Sequence, residues 1–330
     1  MKQYSHFFGV DVSKKTVDIT HVYNQEFTHC QFGNNEDGMK NLLQWFKEIN
    51  LDFEDTLFCM EATGLYCFPL TQFLAANSIS IWIEHAAQIK KATALARGKN
   101  DKVDSKRIAM YAIKNLDRLR LWRPMDATLE KIKHLASLRE RLVETKKKLT
   151  TPIKEFEEVG NVTMAKLLTK TIKASLAAIE KDLKNIEANI ISIVNEDDNL
   201  KLLYKLITSV VGIGFVTAIN LLVHTNAFTV LKDTRKLACY CGVAPFEYSS
   251  GSSIRGKTKV HYMANKKLKC NLHMASLSAI KLDADLKTYY ERKVNEGKNK
   301  MSVLNAVKNK LLARVIAVVN KQQEYVKRTA

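Results

Sequence analysis

The 330-residue sequence contains few of the residues that interrupt regular structure, with only 4 Pro and 12 Gly. Because hydrophobic residues make up 46% of it, the composition excludes a disordered or low-complexity protein. It predicts a folded, largely helical chain that is long enough for two domains and a substantial core.

The sequence also lacks the cysteine patterns of zinc sites and disulfide frameworks. Its six cysteines form no CxxC pair and no zinc-like spacing with histidine: Cys30, Cys59, Cys67, Cys239, Cys241 and Cys270. There is no signal peptide at the N-terminus, and no apolar run approaches the ~20 residues of a membrane helix. These features predict reduced thiols in a cytoplasmic protein without a membrane partner.

Acidic residues are scarce in the last quarter of the chain. Residues 251–330 hold 18 Lys and Arg but only 5 Asp and Glu, so +13 of the total net charge of +18 lies there. An uneven basic excess predicts a polyanionic partner, and nucleic acid is the most common one. A basic surface that serves only solubility is the alternative interpretation.

The carboxylates of the first third stand at unusual places. Asp11 lies inside an apolar run, where an unpaired Asp costs free energy unless something such as a bound cation compensates. Glu61 directly follows a second apolar run. Asp101 and Asp104 are three residues apart, so both face one side of a helical first turn. We interpret the four residues as one divalent-metal site.

Each of these carboxylates also has a purely structural interpretation. Asp101 or Asp104 could cap a helix, Asp11 could end a strand, and Glu61 could occupy a surface turn. A phosphodiester-transfer site explains all four together. Two Mg²⁺ ions about 3.5–4 Å apart stabilise charge on the attacking and leaving oxygens, and carboxylates are the ligands that Mg²⁺ prefers. Mn²⁺ is the alternative ion.

Residues 1–123 are predicted to form an α/β domain. Strands are predicted at 4–12, 17–21, 26–32, 56–60 and 79–83, and helices from 34 onward and at 66–76, 86–96 and 106–114. A polar loop over residues 98–105 would lead into the last helix. Three strands followed by alternating helices and strands is the layout of a ribonuclease-H-like fold, which places carboxylates on strand 1, after strand 4 and on a late helix.

Residues 124–203 are predicted to form a helical coiled-coil arm. A heptad seam is spaced by alternating steps of four and three residues: Ile172, Leu176, Ile179, Leu183, Ile186, Ile190 and Ile193. We expect two long antiparallel helices separated by a break around Pro152 and Gly160, with part of the arm pairing between subunits. A plain helical bundle packed on the first domain is the alternative.

Residues 204–330 are predicted to form a third, mainly helical domain. In the segment 206–218, a Gly-x-Gly turn joins two apolar helices, as in a helix–hairpin–helix whose turn holds a phosphate. A tight turn between two core helices is the alternative.

A serine-rich stretch, residues 249–253, precedes six basic residues with no acidic residue among them. The basic residues are Arg255, Lys257, Lys259, Lys266, Lys267 and Lys269. They predict a flexible loop that contacts nucleic-acid phosphates. A serine hydroxyl in this loop could also be a nucleophile if a base or a metal activates it.

Several of these motifs resemble one family of insertion-sequence transposases, related to the Piv invertase. The N-terminal DEDD domain of that family is matched by Asp11, by Glu61-Ala-Thr-Gly64 and by Asn100-Asp101-Lys-Val-Asp104. Its C-terminal transposase domain is matched by Gly212-Ile-Gly214, Ala244-Pro245, Ser249-Ser250-Gly251 and Arg255-Gly256. The resemblance covers nearly the whole chain.

The resemblance implies a RuvC-like catalytic domain in a recombinase that cuts and rejoins donor and target DNA. Many family members are guided by a structured bridge RNA that pairs with both DNAs. It implies that the acidic tetrad binds Mg²⁺ and that Ser249 or Ser250 attacks the phosphate to form a covalent protein–DNA intermediate. Ser250, directly before Gly251, is favoured.

The resemblance further implies an assembly larger than one subunit. A homo-oligomer, either a dimer or a tetramer, is expected, and it would be nucleoid-associated when active. The serine lies far along the chain from the acidic tetrad, so the two must meet within one subunit or across two.

Two other functions are compatible with the same residues. A RuvC-like junction nuclease would use the four acidic residues with water as the nucleophile and would need no serine. A non-catalytic DNA- or RNA-binding scaffold would keep the acidic residues without using them.

Overall fold

The computed structural model describes residues 3–92, 100–250 and 254–326, with only the backbone described at Tyr248, Ser250, Ile254, Arg255 and Lys257. The chain divides into two compact units, Met1–Pro124 and Met125–Ala330. The first unit combines a sheet with helices, and the second is mainly helical. A mixed α/β and α architecture was predicted, and this part of the prediction is confirmed.

The first unit is built on a five-stranded sheet with the strand order β3-β2-β1-β4-β5. Its strands are β1 (His6–Val12), β2 (Thr16–Tyr23), β3 (Glu26–Gly33), β4 (Thr56–Glu61) and β5 (Ser80–Glu84). Strands β1, β2 and β3 are antiparallel neighbours, whereas β4 and β5 run parallel to β1. The carboxyl ends of β1, β4 and β5 therefore meet at one edge of the sheet.

Helices cover both faces of this sheet. They are α1 (Glu36–Glu48), α2 (Phe68–Ala76), α3 (Ala86–Ala92) and α4 (Asp101–Lys114), with short 3-10 helices at Gly64–Cys67 and Leu116–Arg118. The predicted helix at 86–96 is described only to Ala92, because residues 93–99 lie outside the described residues. The prediction of a loop up to residue 105 was wrong: α4 already begins at Asp101, since the Asn100 side chain accepts a 2.8 Å hydrogen bond from the Val103 N–H and caps the helix.

Two separate cores lie on the two sides of the sheet. Alternate residues of β1 point to opposite faces. Phe8, Val10 and Val12 pack with side chains of α1 and α2. Phe7 packs on the other face with Leu57 and with residues of α4. Because both faces are covered, β1 is buried nearly throughout, as its apolar sequence predicts.

Gly9 lets α4 lie directly on β1. A Cβ atom at this position would collide with the backbone nitrogen of Ala109 and the backbone oxygen of Ser105. The contact is completed by a buried hydrogen bond of 2.7 Å between the Thr20 and Ser105 hydroxyls. Gly9 and Asp11 are two residues apart, so Asp11 faces the same side of the sheet as α4.

The second unit contains eight described helices and one hairpin. The helices are α5 (Ala127–Glu158), α6 (Val162–Glu196), α7 (Asp198–Thr208), α8 (Phe215–Thr225), α9 (Thr234–Tyr240), α10 (Lys266–Leu282), α11 (Ala284–Asn295) and α12 (Lys300–Lys321). The strands are β6 (Phe246–Ser250) and β7 (Ile254–Lys259). One continuous apolar core joins α7, α8, α10 and α12 to the adjoining ends of α5 and α6.

Helices α5 and α6 pack as an antiparallel pair. The ion pairs Arg139–Glu187 and Lys146–Glu180, each 2.7 Å long, cross between them, and the partner number falls as the first number rises. Three residues of the predicted seam, Ile186, Ile190 and Ile193, contribute to the core of the unit.

The break that was expected around Pro152 and Gly160 falls at Gly160, whereas Pro152 lies inside a helix. Helix α5 continues through Pro152 and ends at Glu158, so the turn to α6 falls at Gly160, where φ is +80°. Proline removes one backbone hydrogen bond from a helix. The next residue, Ile153, is buried, and burial of an apolar side chain stabilises the helix that carries it.

Two further predictions for the second unit concern turns. The segment 206–218 does form two helices around a turn, with Gly212 at φ +95° and Gly214 capping α8. The serine segment, in contrast, is not simply a loop, since β6 and β7 pair as an antiparallel hairpin with Ser249 opposite Arg255. The rest of the predicted loop, residues 251–253, lies outside the described residues.

Across the described ranges, every helix is too short or too polar to cross a lipid bilayer. All six cysteine thiols are free, and three of them, Cys59, Cys67 and Cys241, are buried.

Candidate active site

Asp11 and Glu61 lie side by side at the carboxyl edge of the sheet. Strands β1 and β4 are parallel and pair in register as far as Val10 and Met60. Asp11 and Glu61 are the next residues on the two strands, and both point to the face that α4 covers. The parallel register thus brings together two carboxylates that are 50 residues apart in the sequence.

Asp101 and Asp104 lie in the first turn of α4, on one side of the helix. The cap of this helix is Asn100, so neither Asp is needed for that structural role. The Arg107 guanidinium, one turn further along the helix, forms an ion pair of 2.8 Å with the Asp104 carboxylate. The capping interpretation of these two carboxylates is therefore not supported.

The electrostatics of Asp11 show that the four carboxylates converge. The pKa of Asp11 is raised to about 6, first by burial of the carboxylate and then by the charges of Asp101, Asp104 and Glu61, in that order of importance. Three carboxylates from two other elements thus lie close enough to oppose the ionisation of Asp11.

Two more carboxylates stand at this site and were not predicted. Asp18 lies directly across from Asp11 on β2 and also raises the pKa of Asp11. It is buried and accepts hydrogen bonds from His29 (3.1 Å) and Gln31 (3.0 Å) on β3. The only sequence signal was an acidic residue between two apolar ones in a strand.

Glu84 is the second of these carboxylates. It ends β5 in register with Glu61, and its carboxylate accepts a hydrogen bond of 3.2 Å from the Tyr111 hydroxyl of α4. Burial and, after it, the Glu84 charge raise the pKa of Tyr111 to about 12. The carboxyl edge therefore carries an acidic residue at the end of each parallel strand.

The donor set suits a hard divalent cation, because it consists of carboxylate oxygens that repel one another. Among the described residues, however, no three acidic, histidine or cysteine side chains are placed to hold one metal ion together. Asp104 is engaged by Arg107 instead. The four predicted carboxylates thus form an electrostatic cluster, which we call the acidic cluster.

The predicted serines lie in the hairpin of the second unit. Ser249 is exposed on β6, and the backbone of Ser250 ends that strand. Among the predicted basic residues, Lys259 and Lys266 are exposed, and Lys269 is partly buried. Lys267 forms an ion pair of 2.7 Å with Glu140 of α5. The side chains of Ser250, Arg255 and Lys257 lie outside the described part of the chain.

The importance of Gly9 to the site gives a first prediction. The Gly9→Ala variant should lose about 3 kcal/mol of unfolding free energy or more, because the added methyl group meets the α4 backbone, which cannot step aside as a side chain would. Thermal unfolding of this variant and of the unsubstituted chain measures the loss of unfolding free energy. Gly64→Ala is the matched control: its Cβ would enter open space, so only the positive φ of 73° costs about 1 kcal/mol. Equal losses in the two variants would contradict the close contact.

Family comparisons agree with this arrangement. A transposase model for the DEDD domain of the IS110 type matches residues 8–156, and a model described as transposase IS116/IS110/IS902 family matches residues 204–291. The first match contains the whole acidic cluster, and the second contains the serine hairpin.

Relatives extend over the full length. The chain is 25% identical over 325 residues to the pilin gene-inverting proteins of Moraxella bovis and Moraxella lacunata, which covers 98% of this chain and 98% of each relative. It is 29% identical over 138 residues to the insertion element IS110 uncharacterized 43.6 kDa protein of Streptomyces coelicolor, covering 42% of this chain and 33% of that protein.

The matches to both parts of the chain define its class, which is an enzyme that recombines DNA, a transposase or recombinase. The prediction of this class is confirmed. Within that class, the two domain matches and the full-length relatives support a transposase of the IS110/Piv type. A DEDD transposase domain also indicates dependence on a divalent metal, and a transposase has DNA as a partner.

Proposed function

We propose that the chain is an RNA-guided DNA recombinase with a RuvC-like, ribonuclease-H-like catalytic domain in its first unit. The observation that carries this proposal is the convergence of Glu61, Asp101 and Asp104 on Asp11. The mixed sheet, with a catalytic residue on its central strand β1, supports the fold assignment. Donor and target DNA and a structured bridge RNA are the proposed partners, and they would bring the active protein to the nucleoid.

Asp11, Glu61, Asp101 and Asp104 would hold the metal, with Mg²⁺ as the proposed ion and Mn²⁺ as the alternative. Their oxygen donors and the raised pKa of Asp11 support this, because a cation would relieve the repulsion between the carboxylates. A bound pair of cations supplies charge stabilisation at the attacking and leaving oxygens of the phosphate. The protein's part is to hold the four carboxylates on three rigid elements, β1, β4 and α4.

Ser250, or its neighbour Ser249, is the proposed nucleophile. Its hydroxyl oxygen forms a bond to a DNA phosphorus while one phosphorus–oxygen bond of the DNA backbone breaks, and the serine proton ends on the departing hydroxyl. Attack by the hydroxyl end of another strand on the serine phosphodiester then rejoins the DNA and restores the serine. Ser249 is exposed at the end of a hairpin, which supports access to DNA.

A dimer or tetramer is part of the proposal. Apolar residues are exposed near the turn between α5 and α6, with Val159 76% and Leu167 57% accessible, which supports pairing of arms between subunits. Light scattering at micromolar concentration, with and without nucleic acid, should give a mass above that of one chain. A monomer under both conditions would contradict this part.

The nucleic acid that purifies with the protein tests the guidance by RNA. One discrete, structured RNA is expected, and strand transfer in Mg²⁺ should stop after ribonuclease treatment and return when that RNA is added back. Chelation of the metal should stop strand transfer with the RNA intact. Random nucleic-acid fragments, together with strand transfer that ribonuclease leaves unchanged, would contradict RNA guidance while leaving the DNA-recombining activity in place.

The basic residues near the hairpin give a second prediction. Replacing Lys259 and Lys266 by Ala should lower the slope of log affinity against log salt by roughly 0.9 per lost phosphate contact on duplex DNA. Fluorescence anisotropy at several salt concentrations measures this slope.

Lys267 offers a matched control next to these residues. The ammonium group of Lys267 already pairs with the Glu140 carboxylate. The Lys267→Ala substitution therefore leaves Glu140 unpaired but removes no ammonium group that is free to contact a phosphate. We therefore expect a smaller change of slope than in Lys266→Ala. An unchanged slope in the Lys259→Ala and Lys266→Ala variants would contradict the assignment of this surface to nucleic acid.

A further inference from the structure

Three large apolar side chains are exposed directly after the catalytic Glu61. Leu65 is 72% accessible, Tyr66 46% and Phe68 47%, in a segment where Cys67 is buried. We call Leu65, Tyr66 and Phe68 the rim patch. Apolar side chains grouped on a surface mark a binding site more often than isolated ones do.

The rim patch lies at the same sheet edge as the acidic cluster. The side-chain nitrogen of Asn34 donates hydrogen bonds of 2.9 Å to the carbonyls of both Ser13 and Tyr66. Ser13 follows Asp11 by two residues, and the rim patch begins four residues after Glu61. Asn34 thus ties the rim patch to the end of β1.

Hydrogen bonds of the buried Cys67 side chain hold the segment that carries the rim patch. The Cys67 thiol donates to the Glu61 carbonyl at 3.4 Å and contacts the Thr63 hydroxyl at 2.9 Å. Gly64 takes a φ of 73° and thereby allows the tight turn. The exposed side chains consequently project from a fixed backbone next to a catalytic carboxylate.

Cationic side chains stand beside this apolar surface. Lys14 and Lys15 are exposed in the turn between β1 and β2. The Asn34 N–H donates a hydrogen bond of 2.8 Å to the Lys15 carbonyl, so the same asparagine joins both surfaces. Aromatic and aliphatic groups beside ammonium groups match a nucleic-acid strand with unpaired bases, whose flat faces stack on aromatic rings while its phosphates attract cations.

We propose that the rim patch binds unpaired bases of the nucleic-acid strand that enters the acidic cluster, with Tyr66 as the stacking residue and Lys14 and Lys15 as phosphate contacts. This inference rests on the proposed function, since it requires a nucleic-acid strand at the acidic cluster. The pairing of the patch with two lysines favours a polyanion over a protein partner.

Binding of a single-stranded oligonucleotide that carries 2-aminopurine tests the proposal with the full-length chain in chelator, where no cutting should occur. Tyr66→Ala should weaken single-strand binding by about fivefold to a hundredfold, and should remove the fluorescence quenching that reports base stacking. Tyr66→Phe keeps the ring and should retain both signals, which excludes misfolding as the cause. Binding of fully paired DNA should change much less.

Tyr23→Ala is the matched control. Tyr23 has a similar accessibility of 42%. It lies at the end of β2, beside the N-terminal end of β1, and thus on the side of the sheet away from the acidic cluster. It should leave single-strand binding unchanged. Equal losses in Tyr23→Ala and Tyr66→Ala, or none in Tyr66→Ala, would overturn the proposal, and so would a Tyr66→Ala variant that alters only the oligomeric mass. None of these results would affect a loss of strand transfer in Asp11→Asn, so the two proposals fail separately.

Discussion

The Asp11→Asn variant is expected to lose DNA strand transfer by about a thousandfold or more, and yet to unfold at a higher temperature than the unsubstituted chain when metal is chelated. Activity should fall because the amide carries no charge to hold a cation at the centre of the acidic cluster. Stability should rise because the neutral amide avoids the cost of burying a charge and, after that, the repulsion of Asp101, Asp104 and Glu61.

The sign of the stability change follows from the pKa of Asp11. The folded protein raises this pKa from 3.8 to about 6, so the folded state binds the proton more tightly than the unfolded chain does. Without metal, the stability of the unsubstituted chain should therefore decrease as the pH rises from about 4 to about 6 and stay lower above that range. One pKa unit corresponds to about 1.4 kcal/mol. Since the site is partly open to solvent, we expect a gain of about 1–2 kcal/mol for Asp11→Asn at neutral pH.

Thermal unfolding at pH 4 and pH 7, in chelator and in Mg²⁺, separates these effects. The two proteins should be similar at pH 4 and differ at pH 7 in chelator. Added Mg²⁺ should stabilise the unsubstituted chain more than the variant, since a ligand stabilises the state that binds it.

Asp37→Asn is the matched control for this experiment. Asp37 is an exposed residue of α1 that pairs only with the surface residue Lys40 among its described contacts, so its substitution should change neither activity nor the pH dependence. Strand transfer that persists in Asp11→Asn, or a loss of stability of that variant in chelator, would contradict the assigned role of Asp11.

The position of Asp11 could be predicted from the sequence, whereas its neighbour Asp18 could not. Asp11 stands out because it interrupts an apolar run. In β2, apolar and polar residues alternate, which normally indicates a strand with one face in water. The structure buries Asp18 and Thr20 as well, because α4 covers the polar face of β2. Only long-range packing, made possible by Gly9, decides that those polar residues are inside.

Residues that usually interrupt helices and strands lie inside regular structure at two places, because packing or backbone pairing outweighs their local preference. A break was expected around Pro152 and Gly160, but α5, which packs along α6, continues through Pro152 and the break falls only at Gly160. Similarly, residues 246–259 contain serine, glycine and lysine in proportions that suggest a loop. Backbone pairing between β6 and β7 nevertheless makes most of this segment a hairpin. Composition alone therefore did not predict the conformation of this segment.

The hairpin bears on the last prediction, which concerns the nucleophile. Ser249 and Ser250 are adjacent in the sequence. A covalent bond to one DNA phosphate is formed by one hydroxyl oxygen, so a single serine carries this step. We therefore expect one single variant, Ser250→Ala, to lose the covalent protein–DNA intermediate and strand transfer by about a thousandfold or more, while Ser249→Ala keeps most of both.

A labelled DNA substrate makes both outcomes measurable. The covalent intermediate migrates with the protein on a denaturing gel, and the rejoined DNA is measured separately. Thr258→Ala, which removes an exposed hydroxyl from the neighbouring strand β7, is the matched control and should leave both signals intact. A shift of the whole effect from Ser250→Ala to Ser249→Ala would keep the serine mechanism and move the nucleophile by one residue.

The double variant, with Ala at both positions, separates the serine mechanism from the nuclease alternative. A nuclease that uses water would still cut DNA in Mg²⁺ without either serine, because all of its catalytic groups belong to the acidic cluster. A serine recombinase would neither cut nor rejoin, since its first bond-breaking step requires the serine oxygen. Cutting that survives in the double variant but disappears in Asp11→Asn would therefore retain the acidic cluster as the catalytic centre and exclude the hairpin from the chemical step.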